Sequence, residues 1–215
     1  MIALACFFSP AFADESLRLR ATWNGITAGF ADVAVTTQSG SRTVTITAKN
    51  APWLDGLYPI DDRIISEGRT AGGSVRYQTW FREGGFLQDM DLRFGPFTVD
   101  IARHQLEDGA WRDYQTQVKH PGAVEDPISA FYRIREANLA VGQVMELDLF
   151  NGKRTVHLIA TCLRIVPGGE NRFIQIRAAS EGDFRGGIDL TLTPENLPAL
   201  AILQTRAGPV RIEVQ

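Results

Sequence analysis

Cysteine is nearly missing from this chain: Cys6 and Cys162 are the only two in 215 residues. That excludes the disulfide framework on which small secreted scaffolds depend. Long apolar runs are missing too, and no stretch has the eighteen or more apolar residues of a membrane-crossing helix. Lysine occurs only at positions 49, 119 and 153, so the 22 basic residues are almost all arginine. They stand against 25 acidic residues, and a net charge of −3 gives no whole-chain reason to expect nucleic acid. The histidines His104, His120 and His157 never stand four apart, which excludes a His-Glu-x-x-His metal site. No Gly-x-Ser-x-Gly elbow occurs, and the Gly-Gly pairs lack the Lys-Ser/Thr of a phosphate loop. Nothing here implies a cofactor or a metal.

What is present reads as a folded, strand-rich protein. Hydrophobic residues make up 44% and charged residues 22%, ordinary for a globular domain. The first thirteen residues stand apart. Met1 to Phe8 is a short apolar run, and Ser9-Pro10-Ala11-Phe12-Ala13 ends in the small-x-small pattern of a signal-peptidase site. The expected organisation is a signal peptide over 1–13, incomplete at its start, and a single β-rich domain over 14–215. The expected location is the periplasm, with a lipid anchor on Cys6 as the weaker alternative because Ala3 stands where a larger aliphatic residue is usual. Removal of the leader leaves Cys162 alone, in an apolar strand-like run, as a buried thiol.

Strands follow one another with short turns. Leu17 to Trp23 alternates with period two, Asn24-Gly25 is a hairpin signal, and Ile26 to Thr37 returns. Ser39-Gly40 turns into Arg42–Ala48, and residues 50–59 read as an irregular crossing or one short helical turn. Further strands are expected near 60–69, 74–83, 86–94, 97–103 and 111–118. After residue 142 come a strand to Phe150, a type I′ turn at Asn151-Gly152, a long strand from Lys153 to Val166, and strands near 172–180, 185–193, 198–205 and 209–214. The pattern predicts about a dozen mainly antiparallel strands in a sheet too wide to stay flat, curled into a β-roll or half-barrel.

One helix interrupts the strands, near 126–138. Asp126 is a good N-cap, Pro127 suits the first helical position, and Glu125 and Asp126 set negative charge at the positive end of the helix dipole. Ile128, Phe131, Tyr132, Arg135 and Leu139 share one face, which must lie on or inside the sheet. Loss of the Asp126 cap is expected to cost roughly 1 kcal/mol.

Signals of chemistry are few. Ser129 lies inside the helix as a capping residue, without a local histidine to make it a nucleophile. Asp61-Asp62 and Asp89/Asp91 are carboxylate pairs of a kind glycosidases use, and Asp89 and Asp91 share one strand face about 7 Å apart at Cα. The aromatics Trp23, Trp53, Tyr58, Trp80, Phe81, Trp111 and Tyr114 are spread over several elements and could offer platforms to sugars or lipid-like ligands. A ligand site is expected where the helix meets the concave sheet: Asp126, Ser129, Tyr132 and Arg135, with Trp23 and Tyr58 nearby.

Several motifs occur in a fixed order: Trp23-Asn24-Gly25-Ile26-Thr27-Ala28-Gly29, Leu54 to Pro59, Asp126-Pro127-Ile128-Ser129-Ala130-Phe131-Tyr132, Leu139 to Gly142, Phe150 to Arg154, and the closing Leu197-Pro198 and Gly208 to Glu213. This set resembles the bacterial family called domain of unknown function 3108, over nearly the whole mature chain. The resemblance implies an exported envelope protein with a curled β-sheet, no established activity and no catalytic residues to carry over. The function expected is non-catalytic binding of an envelope component, a lipid-like molecule or a glycan. The alternatives are an envelope glycan hydrolase using a carboxylate pair, or a structural module that binds an envelope protein.

Overall fold

The computed structural model describes residues 15–120, 122–167, 169–179, 187–205 and 208–215. The signal peptide expected over 1–13, with Cys6, lies outside them. Fourteen strands form one antiparallel sheet. They are β1 (Glu15–Trp23), β2 (Ile26–Gln38), β3 (Ser41–Asn50), β4 (Asp61–Arg69), β5 (Ser74–Glu83), β6 (Phe86–Phe94) and β7 (Thr98–Glu107), then β8 (Ala110–Lys119), β9 (Val144–Phe150), β10 (Thr155–Ile165), β11 (Arg172–Ala178), β12 (Ile188–Leu192), β13 (Pro198–Thr205) and β14 (Gly208–Val214). The helix α1 spans Pro127–Glu136, and Pro52–Leu54 is a single 3-10 turn in the irregular crossing.

The sheet order is β8-β7-β6-β5-β4-β3-β2-β1-β14-β13-β12-β11-β10-β9. Strands consecutive in sequence therefore pair, except β8 and β9, and β1 joins β14 to bring the two ends of the sheet-forming chain together. The edges fall at β8 and β9, the strands on either side of the helix. The sheet curls without closing. Register shifts in the β1–β2, β4–β5, β10–β11 and β12–β13 pairs add local bends that help it curl.

Local rules explain the tight turns. Asn24-Gly25, Ser39-Gly40 and Asp108-Gly109 all carry two consecutive positive φ angles, as two-residue I′ hairpins require. Asn151-Gly152 is not such a turn. Phe150 pairs with Thr155, leaving four residues in the loop, and of the two only Gly152 has a positive φ. The Asn151 side chain instead accepts from the Lys153 and Arg154 N–H groups at 3.0 Å, an Asx-type turn.

Alternation sends one face of most strands inward. Val33, Val35 and Val44 pack on Tyr132 of the helix. Tyr77, Met90, Leu92, Val99 and Ile101 pack on Phe150, which reaches across from β9. Leu158, Ile174, Ile176, Leu190 and Leu192 pack on Ile134 and Leu139. The helix thus lies within the curl, covered on two sides. Before entering it the chain protects one sheet edge: Glu125 pairs with β9 in parallel, its N–H donating to Asp148 and its carbonyl accepting from Phe150, each at 2.8 Å. The β8 edge has no partner strand among the described residues, and its side chains are exposed on both faces except at Val118.

Candidate functional site

Asp126 caps α1 as its sequence requires, and it does more than cap. It is fully buried at 0% exposure. Its Oδ1 accepts from the N–H groups of Ile128 and Ser129 at 2.9 and 3.0 Å. Its Oδ2 accepts from the hydroxyls of Ser129 and Ser74 at 2.6 and 2.7 Å, and Ser66 Oγ lies 3.0 Å from both oxygens. Ser66 stands on β4 and Ser74 on β5, so the cap is also the bolt that fastens helix to sheet. Glu125 adds to it, accepting from the Gly73 N–H at 2.8 Å. A carboxylate with its lone pairs so fully occupied anchors the helix and has none to offer a ligand.

Tyr132 and Arg135 are likewise structural. Tyr132 is buried between the guanidinium groups of Arg42 and Arg135, 4.6 and 5.1 Å from its ring centre. Burial chiefly pushes its hydroxyl up to about 12. Arg135 is 7% exposed and holds Glu15 of β1 through two bonds of 2.8 Å. Trp23 and Tyr58 stand elsewhere and are 40% and 46% exposed. Trp23 lies at the β1–β2 turn beside Gly208. The Tyr58 ring covers Gly84 so closely that a Cβ there would sit 2.6 Å from it. The structure brings Asp126, Ser129, Tyr132 and Arg135 together on the helix; Trp23 and Tyr58 do not line the cavity beside it.

That cavity lies on the other side of α1. Pro127, Ala130, Phe131 and Ile134 face Leu158 of β10 and Ile176 of β11 across a space of ≈250 Å³, with Asn151 as its polar residue. A second apolar space of ≈340 Å³ lies on the inner face of β1–β4 and β14, floored by small residues such as Ala21, Gly29 and Ala48 and bordered by Asp62. The 3.6-residue pattern of Ile128, Phe131, Tyr132 and Arg135 marks one buried face. Pro127, Ala130 and Ile134 repeat at i, i+3 and i+7 on another, and that second stripe was the signal for a helix enclosed on two sides.

The carboxylate pairs are poorly placed for glycoside hydrolysis. Asp89 and Asp91 lie on the outer face of β6. Arg76 grips Asp91 at 2.8 and 2.9 Å and holds its carboxyl below the usual range, and Arg82 lies 2.6 Å from Asp89. Asp61 pairs with Lys49 at 3.7 Å. Asp62 turns inward and accepts from the Arg82 N–H at 2.8 Å. Beside it Glu83, which no sequence motif marks, has its carboxyl raised to about 7, first by burial and then by a hydrogen bond to Asp62. A carboxylic acid with a raised pKa is what a glycosidase needs, but acids in hydrogen-bond contact leave no room for a scissile bond, which needs at least about 5 Å.

With this geometry in hand, comparison with known proteins places the chain. The family model described as "Protein of unknown function (DUF3108)" matches residues 18–193. The chain belongs to this family. The match spans the helix, its serine partners and the cavity walls. Among curated proteins no sequence matches this DUF3108 chain. Among solved structures it is similar to the crystal structure of a β-barrel-like protein of domain of unknown function DUF1849 from Brucella abortus, with a TM-score of 0.60 over 93% of this chain and 94% of that one. At 9% identity the likeness is one of fold. Among the described residues of the DUF3108 chain, no helix is long and apolar enough to cross a membrane.

Proposed function

We propose that this protein is exported to the periplasm and binds the apolar part of a lipid-like envelope component, without chemistry, between α1 and the inner face of β9–β12. The observation that carries this reading is the ≈250 Å³ cavity walled by Pro127, Ala130, Phe131, Ile134, Leu158 and Ile176. Each methylene group that leaves water for this apolar space gains about 0.8 kcal/mol. Such a space suits an acyl chain, which needs no polar partner along its length. Asn151 at the rim can offer its side-chain amide N–H groups to a polar end, its oxygen being taken by the Lys153 and Arg154 N–H groups. The apolar leader over 1–13 supports export. Against hydrolysis stand the arginine-held Asp91 and the contact between Asp62 and Glu83.

The test is native mass spectrometry of the mature protein purified gently from its own host, followed by titration of the delipidated protein with the fluorescent fatty acid cis-parinaric acid. A co-purifying lipid mass, saturable binding, and loss of that binding in Ala130→Phe are the expected results. A bare protein mass together with no saturable fluorescence overturns the reading. A co-purifying polypeptide in place of a lipid moves the function to protein interaction.

A further inference from the structure

The outer face of β5–β8 carries a second arrangement, on the opposite side of the sheet from the lumen and independent of it. Register places its residues in rows across four strands. Trp80, Asp89, His104 and Asp113 form one row; Gln78, Asp91, Ala102 and Gln115 the next; Arg76, Arg93, Asp100 and Gln117 the third. Ala102 is the one small side chain among them. It leaves a trough of two adjoining spaces, ≈370 and ≈580 Å³, which share Asp91, Ala102 and Gln115. From His104 to Asp100 the trough runs about 14 Å along β7, the length of a short oligosaccharide.

We propose that this trough binds a neutral saccharide of two or three sugar units. Charge argues for neutrality, because the two central carboxylates are already paired with arginines and the others already hold hydrogen-bond partners. Arg76 holds Asp91 through two bonds of 2.8 and 2.9 Å, Arg82 lies 2.6 Å from Asp89, and His104 meets Asp113 at 2.7 Å. Gln117 donates to Asp100 at 2.6 Å. A cationic peptide would have to compete with arginines for Asp89 and Asp91, the carboxylates nearest the centre of the trough. A sugar hydroxyl has no such competition: it donates to a carboxylate lone pair that the arginine does not use, and accepts from an amide. The mutual bonds also hold these flat side chains in place before a ligand arrives, which reduces the ordering cost of binding. Aromatic surface stands at one end, where Trp80 shares the His104 row and Trp111 stacks on His104 with parallel rings whose centres are 4.4 Å apart. Apolar sugar faces stack on such rings while their hydroxyls reach polar groups alongside.

The experiment is saturation-transfer NMR and calorimetric titration of the full chain with cellotetraose, chitotetraose, maltotetraose and mannotetraose. Ala102→Leu fills the trough and Gln115→Ala removes an amide; both positions are exposed and outside the core, so the folded protein remains available for titration. At least one sugar binds, and each variant weakens it about tenfold or more. Absence of saturation transfer from all four sugars at about 10 mM overturns the proposal, as does binding that both variants leave unchanged. Tight binding of an oligolysine peptide at the same face also overturns it, since the carboxylates would then be available to cations.

Discussion

Strands β1–β8 and strands β9–β14 both turn their inner faces toward α1, with different residues. The first group presents Asp62, Ser66, Ser74, Thr79 and Gln88 among its buried side chains. The second presents Leu158, Ala160, Cys162, Ile174, Ile176, Leu190 and Leu192, with Arg172 at a strand end as its buried charge. Hydrogen bonds are directional, so the serines of β4 and β5 fix where the helix starts and how it is oriented. Apolar contacts tolerate small displacements and changes of occupant far better. The helix is therefore bolted on one side and cushioned on the other, and the cavity beside it lies on the cushioned side. A binding protein needs that division: a fixed wall to define the site, and an adaptable wall to accept the ligand.

Removing the bolt gives the largest effect. Asp126→Ala takes away the cap and the carboxylate shared by the hydroxyls of Ser66, Ser74 and Ser129, leaving Ser74 only the longer 3.2 Å bond to Glu125 and Ser66 and Ser129 only each other. A cap alone is worth about 1 kcal/mol; with buried partners stranded, about 3–5 kcal/mol of unfolding free energy is expected to be lost. Urea unfolding followed by circular dichroism measures it. A loss near 1 kcal/mol would show that Ser66 and Ser74 find other partners and that the two sides of the helix are less unlike than described.

Next comes the far end of the same helix. Glu15→Gln leaves Arg135, 7% exposed, with a neutral amide where two charged bonds of 2.8 Å stood. The expected loss is about 2 kcal/mol, read from the same urea midpoint. An unchanged midpoint would place the anchoring at the N-terminal end alone.

The polar group of strands also has a pH signature, in an inward carboxyl. Glu83 titrates near 7 in the folded chain against an ordinary 4.5. Between those values the folded protein keeps a proton that the unfolded chain has released. Stability therefore falls as pH rises through that window and levels off above it. Glu83→Gln cannot titrate, so the urea midpoint of this variant should lose that part of the decline between pH 4.5 and 7. A decline as steep as in the parent chain would assign the slope to another group. The effect is smaller than loss of the anchor, because Glu83 retains contact with solvent.

How legible this was in the sequence depended on distance along the chain. Asp126-Pro127 announces a helix start by rules that act within four residues, and the helix begins there. Asn24-Gly25 and Ser39-Gly40 announce their turns in the same way, and the alternation of Leu17 to Trp23 announces a strand. Asn151-Gly152 failed because its side chain captured the following N–H groups and opened a longer loop. The partners of Asp126 could not be read, since Ser66 and Ser74 lie 60 and 52 residues away and look like any other strand serine. Nor could the junction of β1 with β14, which makes β8 and β9 the edges and leaves the helix between them. Trp23 and Tyr58 suit a ligand by residue type, yet where they stand depends on the turns that follow β1 and β5. A cavity is harder still. It is a shortfall of volume among Ala130, Ile134, Leu158 and Ile176, and no one of these residues signals it.

The smallest effect is the sharpest test of the contrast between the two sides. Ala130 is buried and lines the space next to Ile134. If the space is unoccupied when ligand is absent, Ala130→Leu places apolar atoms where none stood and should raise stability by about 1 kcal/mol. The same change made in a tightly packed core forces side chains off their rotamers and costs about 1–3 kcal/mol. The sign of the shift in thermal midpoint for delipidated protein therefore decides whether the cushioned side holds usable space. Acyl-chain binding supplies the second reading, because the leucine and the ligand compete for one volume. A variant that is more stable and no longer takes up cis-parinaric acid places the ligand beside Ala130. One that is more stable and still binds it moves the ligand to the space floored by Ala21, Gly29 and Ala48.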